Sequence, residues 1–176
     1  MIIAFVVAAL VIAADQISKY AIKANMALGE SFSLVKYLLD IRYIENEGAS
    51  FGMLKNHRWV FMSLSSVALV LMLAAIIYLG RKSIKKHNLF INITLAAMFG
   101  GGAGNMIDRL SNNSVAFGME GAKVVVDFLE FPFFRFFTFN LADAFVCVGS
   151  VLFCLCVFLG KYRLKEPQKG QEGQLP

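Results

Sequence analysis

Four stretches of almost unbroken apolar residues dominate the chain, at about 2–22, 59–80, 89–110 and 139–160. Each is close to the ~20 residues that a helix needs to cross a hydrocarbon core of ~30 Å. They predict four transmembrane helices. Between the first two, Leu34 to Glu45 mixes β-branched and aromatic residues with Lys36, Asp40 and Arg42, the pattern of two short strands or one bent ribbon. Val124 to Val126 predicts a third strand or strand-like entry, and Ser111 to Lys123 before it reads as a solvated loop. The expected fold is thus an all-α integral membrane protein with a small β-sheet lying on the outer surface of the bilayer. Residues 1–165 form one domain, and 166–176, charged and carrying two glycines and two prolines, form a disordered tail.

Composition agrees with the pattern: 58% of positions are hydrophobic and 16% charged, too apolar for a soluble domain of 176 residues. The net charge of +5 does not indicate nucleic acid once the bases are placed. Arg81, Lys82, Lys85 and Lys86 join the second and third helices, and Lys161, Arg163, Lys165 and Lys169 follow the fourth. In a four-span chain these lie on one side, which the positive-inside rule makes cytoplasmic. Both termini are then cytoplasmic, and residues 23–58 and 111–138 face outward. The first stretch has no preceding basic segment and no small-residue cleavage pattern, so it reads as a retained helix. Cys147, Cys154 and Cys156 all fall in the fourth span without metal-ligand spacing, which assigns them to packing or lipid contact.

The informative residues are the polar ones inside the spans. At ~1.5 Å per residue, Asp15 lies about 20 Å above the cytoplasmic face and Asn105 about 24 Å, while Asn140 and Asp143 lie about 5 Å below the outer face. Asp108 and Arg109 share a helix face with Asn105. Three spans therefore deliver polar groups to the outer third of the bilayer, and their cytoplasmic halves are nearly bare of them. Lys19, four residues after Asp15, either pairs with it or snorkels to the outer surface. Glycines at 100, 101, 102 and 104 allow neighbouring helices to approach closely. Trp59 and Phe61 suit the outer interface, and the second helix, free of charge from Val60 to Leu79, reads as scaffold.

Ionisable groups at that depth are costly and point to function. Two carboxylates held together share a proton, so one activates a water while the other donates to a carbonyl oxygen. Asp127 and Asp143 are the best-placed pair, because Arg109 beside Asp108 favours a structural ion pair. A serine–histidine mechanism is disfavoured: His57 and His87 lie on opposite sides of the membrane, and Ser50 in Gly48-Ala-Ser-Phe-Gly52 has no base facing it. A hard metal ion is opposed by Arg109. A proton- or ion-coupled transporter using Asp15, Asp108 and Asp143 as a relay predicts polar groups through the full membrane depth, and a passive scaffold gives no reason for carboxylates at one level.

Five segments resemble, in order and spacing, the motifs of the lipoprotein signal peptidase (signal peptidase II) family: Asp15-Gln-Ile-Ser-Lys19, Asn46-Glu-Gly-Ala-Ser-Phe-Gly52, Gly104-Asn-Met-Ile-Asp-Arg109, Val126-Asp-Phe128 and Phe139-Asn-Leu-Ala-Asp143. The resemblance implies a bacterial inner-membrane aspartic endopeptidase, without metal or other cofactor, active near the outer face. Its partners are membrane lipid and the signal peptide of a prolipoprotein, cut before a diacylglyceryl-cysteine, and no nucleic acid; the enzyme is expected to be a monomer. It implies Asp127 and Asp143 as the catalytic pair, with Asn46, Asn105, Arg109 and Asn140 lining the site or holding substrate, and Asp15 and Asp108 supporting it. In one respect the chain departs from the family: Ser111 to Lys123 is several residues longer than the usual link, which leaves open how that loop covers the site.

Overall fold

A computed structural model describes residues 1–46, 58–82, 86–116, 122–134 and 137–158. The Gly48–Gly52 turn, His57 and the 166–176 tail lie outside the described residues. The chain order is α1 (Ile2–Asn25), β1 (Ser31–Val35), β2 (Leu39–Asn46), α2 (Arg58–Lys82), α3 (Lys86–Ser111), β3 (Val125–Glu130), a 3-10 turn at Pro132–Phe134, β4 (Thr138–Phe139) and α4 (Leu141–Phe158). Each of the four helices contains a stretch long and apolar enough to cross a membrane.

The central element is α3, which packs on α1, α2 and α4. Its glycines permit this: a Cβ on Gly101 would strike the Ala142 carbonyl at the start of α4. The buried positions of α1 are Ala4, Ala8, Val11, Asp15 and Lys19, a single helical stripe. Its first half joins Ile76, Leu95 and Ala96 in an apolar core. Its second half changes from apolar to charged without leaving the buried face.

The strands form one antiparallel sheet in the order β1-β2-β3-β4. Leu34 to Glu45, expected as two short strands or one bent ribbon, is two strands of a hairpin that starts at Ser31 and whose turn includes Tyr37 at φ 66°. Alternation along β2 buries Ile41, Tyr43 and Glu45. Ile41 and Tyr43 meet Val126 and Phe128 of β3, together with Ile22 in the last turn of α1 and Met26 just after it. The sheet is therefore seated on the end of the first helix.

Three expectations are corrected. The described residues of the 111–123 segment are more than a solvated loop: Asn113 bridges to Lys123 and Ser114 is buried, while Ser111, Asn113 and Val115 stay exposed. The first half of α3 is not bare of polar groups, since Asn92 and Thr94 are buried there. Thr94 Oγ1 donates to the Ile91 carbonyl, while Asn92 Oδ1 has no partner among the described residues. The fourth helix begins at Leu141 rather than 139, because Phe139 pairs with Leu129 in the sheet and Asn140 caps the helix.

Candidate active site

Asn140-Leu-Ala-Asp143 is a reciprocal cap. Asn140 Oδ1 accepts from the Asp143 backbone N–H at 2.9 Å, and Asp143 Oδ2 accepts from the Asn140 N–H at 3.3 Å. This satisfies two donors that an open helix end leaves unpaired, and it places an acid in the first turn, where the helix dipole favours it. The same motif thus begins α4 and fixes the Asp143 side chain.

Asp127 comes from the middle of β3 and is 3% exposed. Asn140 Nδ2 donates to its Oδ1 at 2.7 Å, and Asn46 Nδ2 donates to its Oδ2 at 2.9 Å. Asn140 thereby touches both acids: its side chain holds the Asp127 carboxylate, and its backbone N–H holds that of Asp143. Burial first, and the Asp143 carboxylate second, push Asp127 from an ordinary 3.8 up to about 7; donation from Asn46 and Asn140 and the charge of Lys19 oppose this and are outweighed.

Below this pair lies a buried cation. Lys19, predicted to pair with Asp15 or to snorkel outward, is 2% exposed and points inward. Its Nζ lies 2.8 Å from Asp15 Oδ2, 2.9 Å from Asp108 Oδ2 and 2.9 Å from Asn105 Oδ1. An ammonium has three donors and no acceptor, so these contacts use all of them. The ion partner of Asp108 is consequently Lys19, across two helices, and not the adjacent Arg109 that the sequence favoured. Arg109 is half-buried, and its Nη1 donates to the Asn105 carbonyl.

Lys19 also sets the direction of an amide. With Asn105 Oδ1 accepting from Lys19 and from Asn140 Nδ2 at 3.0 Å, its Nδ2 must face the other way, and it donates to Asp143 Oδ1 at 2.7 Å. Asp15 Oδ1 accepts from the Ala142 N–H at 3.0 Å, so the first helix helps to cap the fourth. Asp108 Oδ2 accepts from the Val126 N–H at 3.3 Å, which ties α3 to β3 beside Asp127. Gln16 Nε2 adds a donation to Asp108 Oδ1 at 2.9 Å.

All eight residues singled out in the sequence therefore have a place in or beside one network. Six of them, Asp15, Asn46, Asn105, Asp127, Asn140 and Asp143, are linked by direct hydrogen bonds or through Lys19; Asp108 joins through Lys19, and Arg109 through the backbone of α3. Lys19 and Gln16 were not among them. The available signal was the buried stripe of α1, on which Lys19 follows Asp15 by one turn.

Fold and site together define a multi-pass membrane protein with a buried carboxylate centre at one end of its helix bundle. The family model for signal peptidase (SPase) II matches residues 7–159, and the chain belongs to that family, a family of proteases. It is 35% identical over 155 residues to the lipoprotein signal peptidase of Brevibacillus brevis, covering 88% of this chain and 94% of the relative. It is 37% identical over 162 residues to that of Caldanaerobacter subterraneus subsp. tengcongensis, covering 91% and 99%. A solved bacterial membrane enzyme superposes with a TM-score of 0.68 at 27% identity, covering 96% of this chain and 94% of the other.

Proposed function

We propose that the protein is an aspartic endopeptidase that removes the signal peptide from diacylglyceryl-modified prolipoproteins, cutting before the lipid-bearing cysteine. Asp127 and Asp143 are the reacting groups. The observation that carries this reading is the bridge through Asn140, which holds two acids from different elements together while burial and mutual repulsion raise Asp127.

In the reaction, Asp143 accepts a proton from a water as its oxygen bonds to the scissile carbonyl carbon, and Asp127 gives its proton to the carbonyl oxygen. Collapse of the tetrahedral intermediate returns that proton to Asp127 and breaks the C–N bond. The proton held by Asp143 passes to the leaving nitrogen, leaving a carboxyl end on the signal peptide and a free amine on the cysteine. Asn46, Asn105 and Asn140 fix the two acids, and Arg109 lies beside them for substrate; Asp15, Asp108 and Lys19 support them from below.

Residues 1–165 constitute this one peptidase domain, acting as a monomer in the bacterial cytoplasmic membrane. Basic residues at the 2–3 connection and after α4 support a topology with both termini in the cytoplasm, in which the acids and the sheet stand at the outer boundary. A lipidated signal helix is itself membrane-resident and presents its cleavage point at that level. The test is cleavage of a diacylglyceryl-modified prolipoprotein by purified protein, comparing wild type with Asp127→Asn and Asp143→Asn. Both variants should fold and yield no product, and full activity in either removes that residue from the chemistry.

A further inference from the structure

Glu45 precedes Asn46, and the pleat of β2 turns their side chains to opposite faces. Asn46 reaches Asp127. Glu45 reaches the segment that follows α3: Ser114 Oγ donates to its Oε2 at 2.6 Å, and the Val115 N–H lies 3.1 and 3.3 Å from its two oxygens. Tyr43 OH donates to Oε1 at 2.9 Å. Glu45 is 9% exposed and Ser114 5%. The partners described are two hydroxyls and a backbone N–H, all neutral. A carboxylate buried among neutral donors is costly to desolvate.

The contacts converge on the elements that carry the reacting groups. The Val124 N–H donates to the Asn112 carbonyl, and the Ser114 N–H to the Ala122 carbonyl, so the two arms of the segment pair with each other. One arm leads back to α3 with Asn105 and the other forward to β3 with Asp127. Glu45 joins this paired segment to β2, and in the ladder Glu45 and Asn46 face Val126 and Val125, where the β2–β3 pairing ends.

We infer that Glu45 is a positioning residue for hydrolysis: by tying the Ser111–Lys123 segment to the end of β2, it holds Asn46 against Asp127. The inference rests on Asp127 and Asp143 being the reacting pair. It gives the segment after α3 a task at the site, through Ser114 and the Val115 N–H. Burial, and then the Glu45 carboxylate, also raise the Tyr43 phenol above its ordinary value, so that it remains a donor to Glu45.

The test measures kcat and KM for prolipoprotein cleavage by the full-length protein, together with thermal unfolding, for Glu45→Ala, Glu45→Gln, Asn46→Ala and the Glu45→Ala/Asn46→Ala double variant. Loss of one aligned hydrogen bond should lower kcat about tenfold in Glu45→Ala at unchanged KM. Glu45→Gln, which keeps the shape and an acceptor oxygen, should recover most of it, and the double variant should be no slower than Asn46→Ala alone. Wild-type kcat in Glu45→Ala or in Asn46→Ala, or losses that multiply in the double variant, would overturn the inference. If Glu45→Ala does not fold, Ser114→Ala takes its place in the same cycle with the same criteria. Failure of the underlying chemistry is separately visible, as activity in Asp127→Asn or Asp143→Asn.

Discussion

The Asp15 carboxylate occupies the volume that a side chain on Gly104 would fill: an ideal Cβ there stands 2.5 Å from Asp15 Oδ2 and 3.1 Å from its Cγ. The carboxylate cannot retreat freely, because its oxygens also hold Lys19 and the Ala142 N–H. Gly104→Ala should therefore destabilise the protein by about 1–3 kcal/mol, as overpacking does, and reduce cleavage. Gly102→Ala is the control. There a Cβ meets only the Leu69 side chain, which can move, so its melting temperature should stay near wild type.

Lys19 holds two carboxylates and an amide from three directions. Lys19→Met would leave Asp15 and Asp108 buried with no cation between them and should cost about 3–5 kcal/mol, read as a drop in melting temperature in detergent. Adding Asp15→Asn and Asp108→Asn to Lys19→Met should restore part of the loss. Lys19→Arg should not rescue, since a planar fork does not match three single acceptors spread around a point charge.

Asp127 gives the pH dependence its sign. Its folded value of about 7 exceeds the ordinary 3.8, so the native state holds a proton that the unfolded chain releases. Its contribution to stability is complete below the ordinary value and is lost as pH rises toward about 7, after which it is flat. Melting temperature should fall over that window in wild type, and the fall should shrink in Asp127→Asn. With Asp127 as the proposed proton donor, cleavage should decline above the same point. A wild-type profile still rising there would exclude Asp127 as the proton donor.

Much of this was written locally in the chain. The length of four apolar runs defined the four spans, and their polar positions, counted from the ends, converged because Asp15, Asn105 and Asn140 do meet. The cap at the start of α4 was not read, and the helix was expected from 139, although an Asn with an Asp three residues later before an apolar run is the pattern of such a cap. Lys19 was ambiguous, since one turn of spacing from Asp15 suits an interfacial pair as well as a buried hub. What decides between them is Asp108, which approaches from another helix. Glu45 and Ser114, 69 residues apart, leave no periodic trace, and a strand glutamate before a polar loop reads as solvated. The small residue at position 104 was read as room for a neighbouring backbone, when what it accommodates is a charged side chain.

The bond from the Ala142 N–H to Asp15 joins positions 127 residues apart. During synthesis the first span thus enters the bilayer long before the donor that completes its acid exists. The same late segment brings Asp143. A chain halted before the fourth helix holds an unfinished charge cluster and one of the two acids, so the proposed acid pair and the settling of the first helix arrive together, at the end of translation.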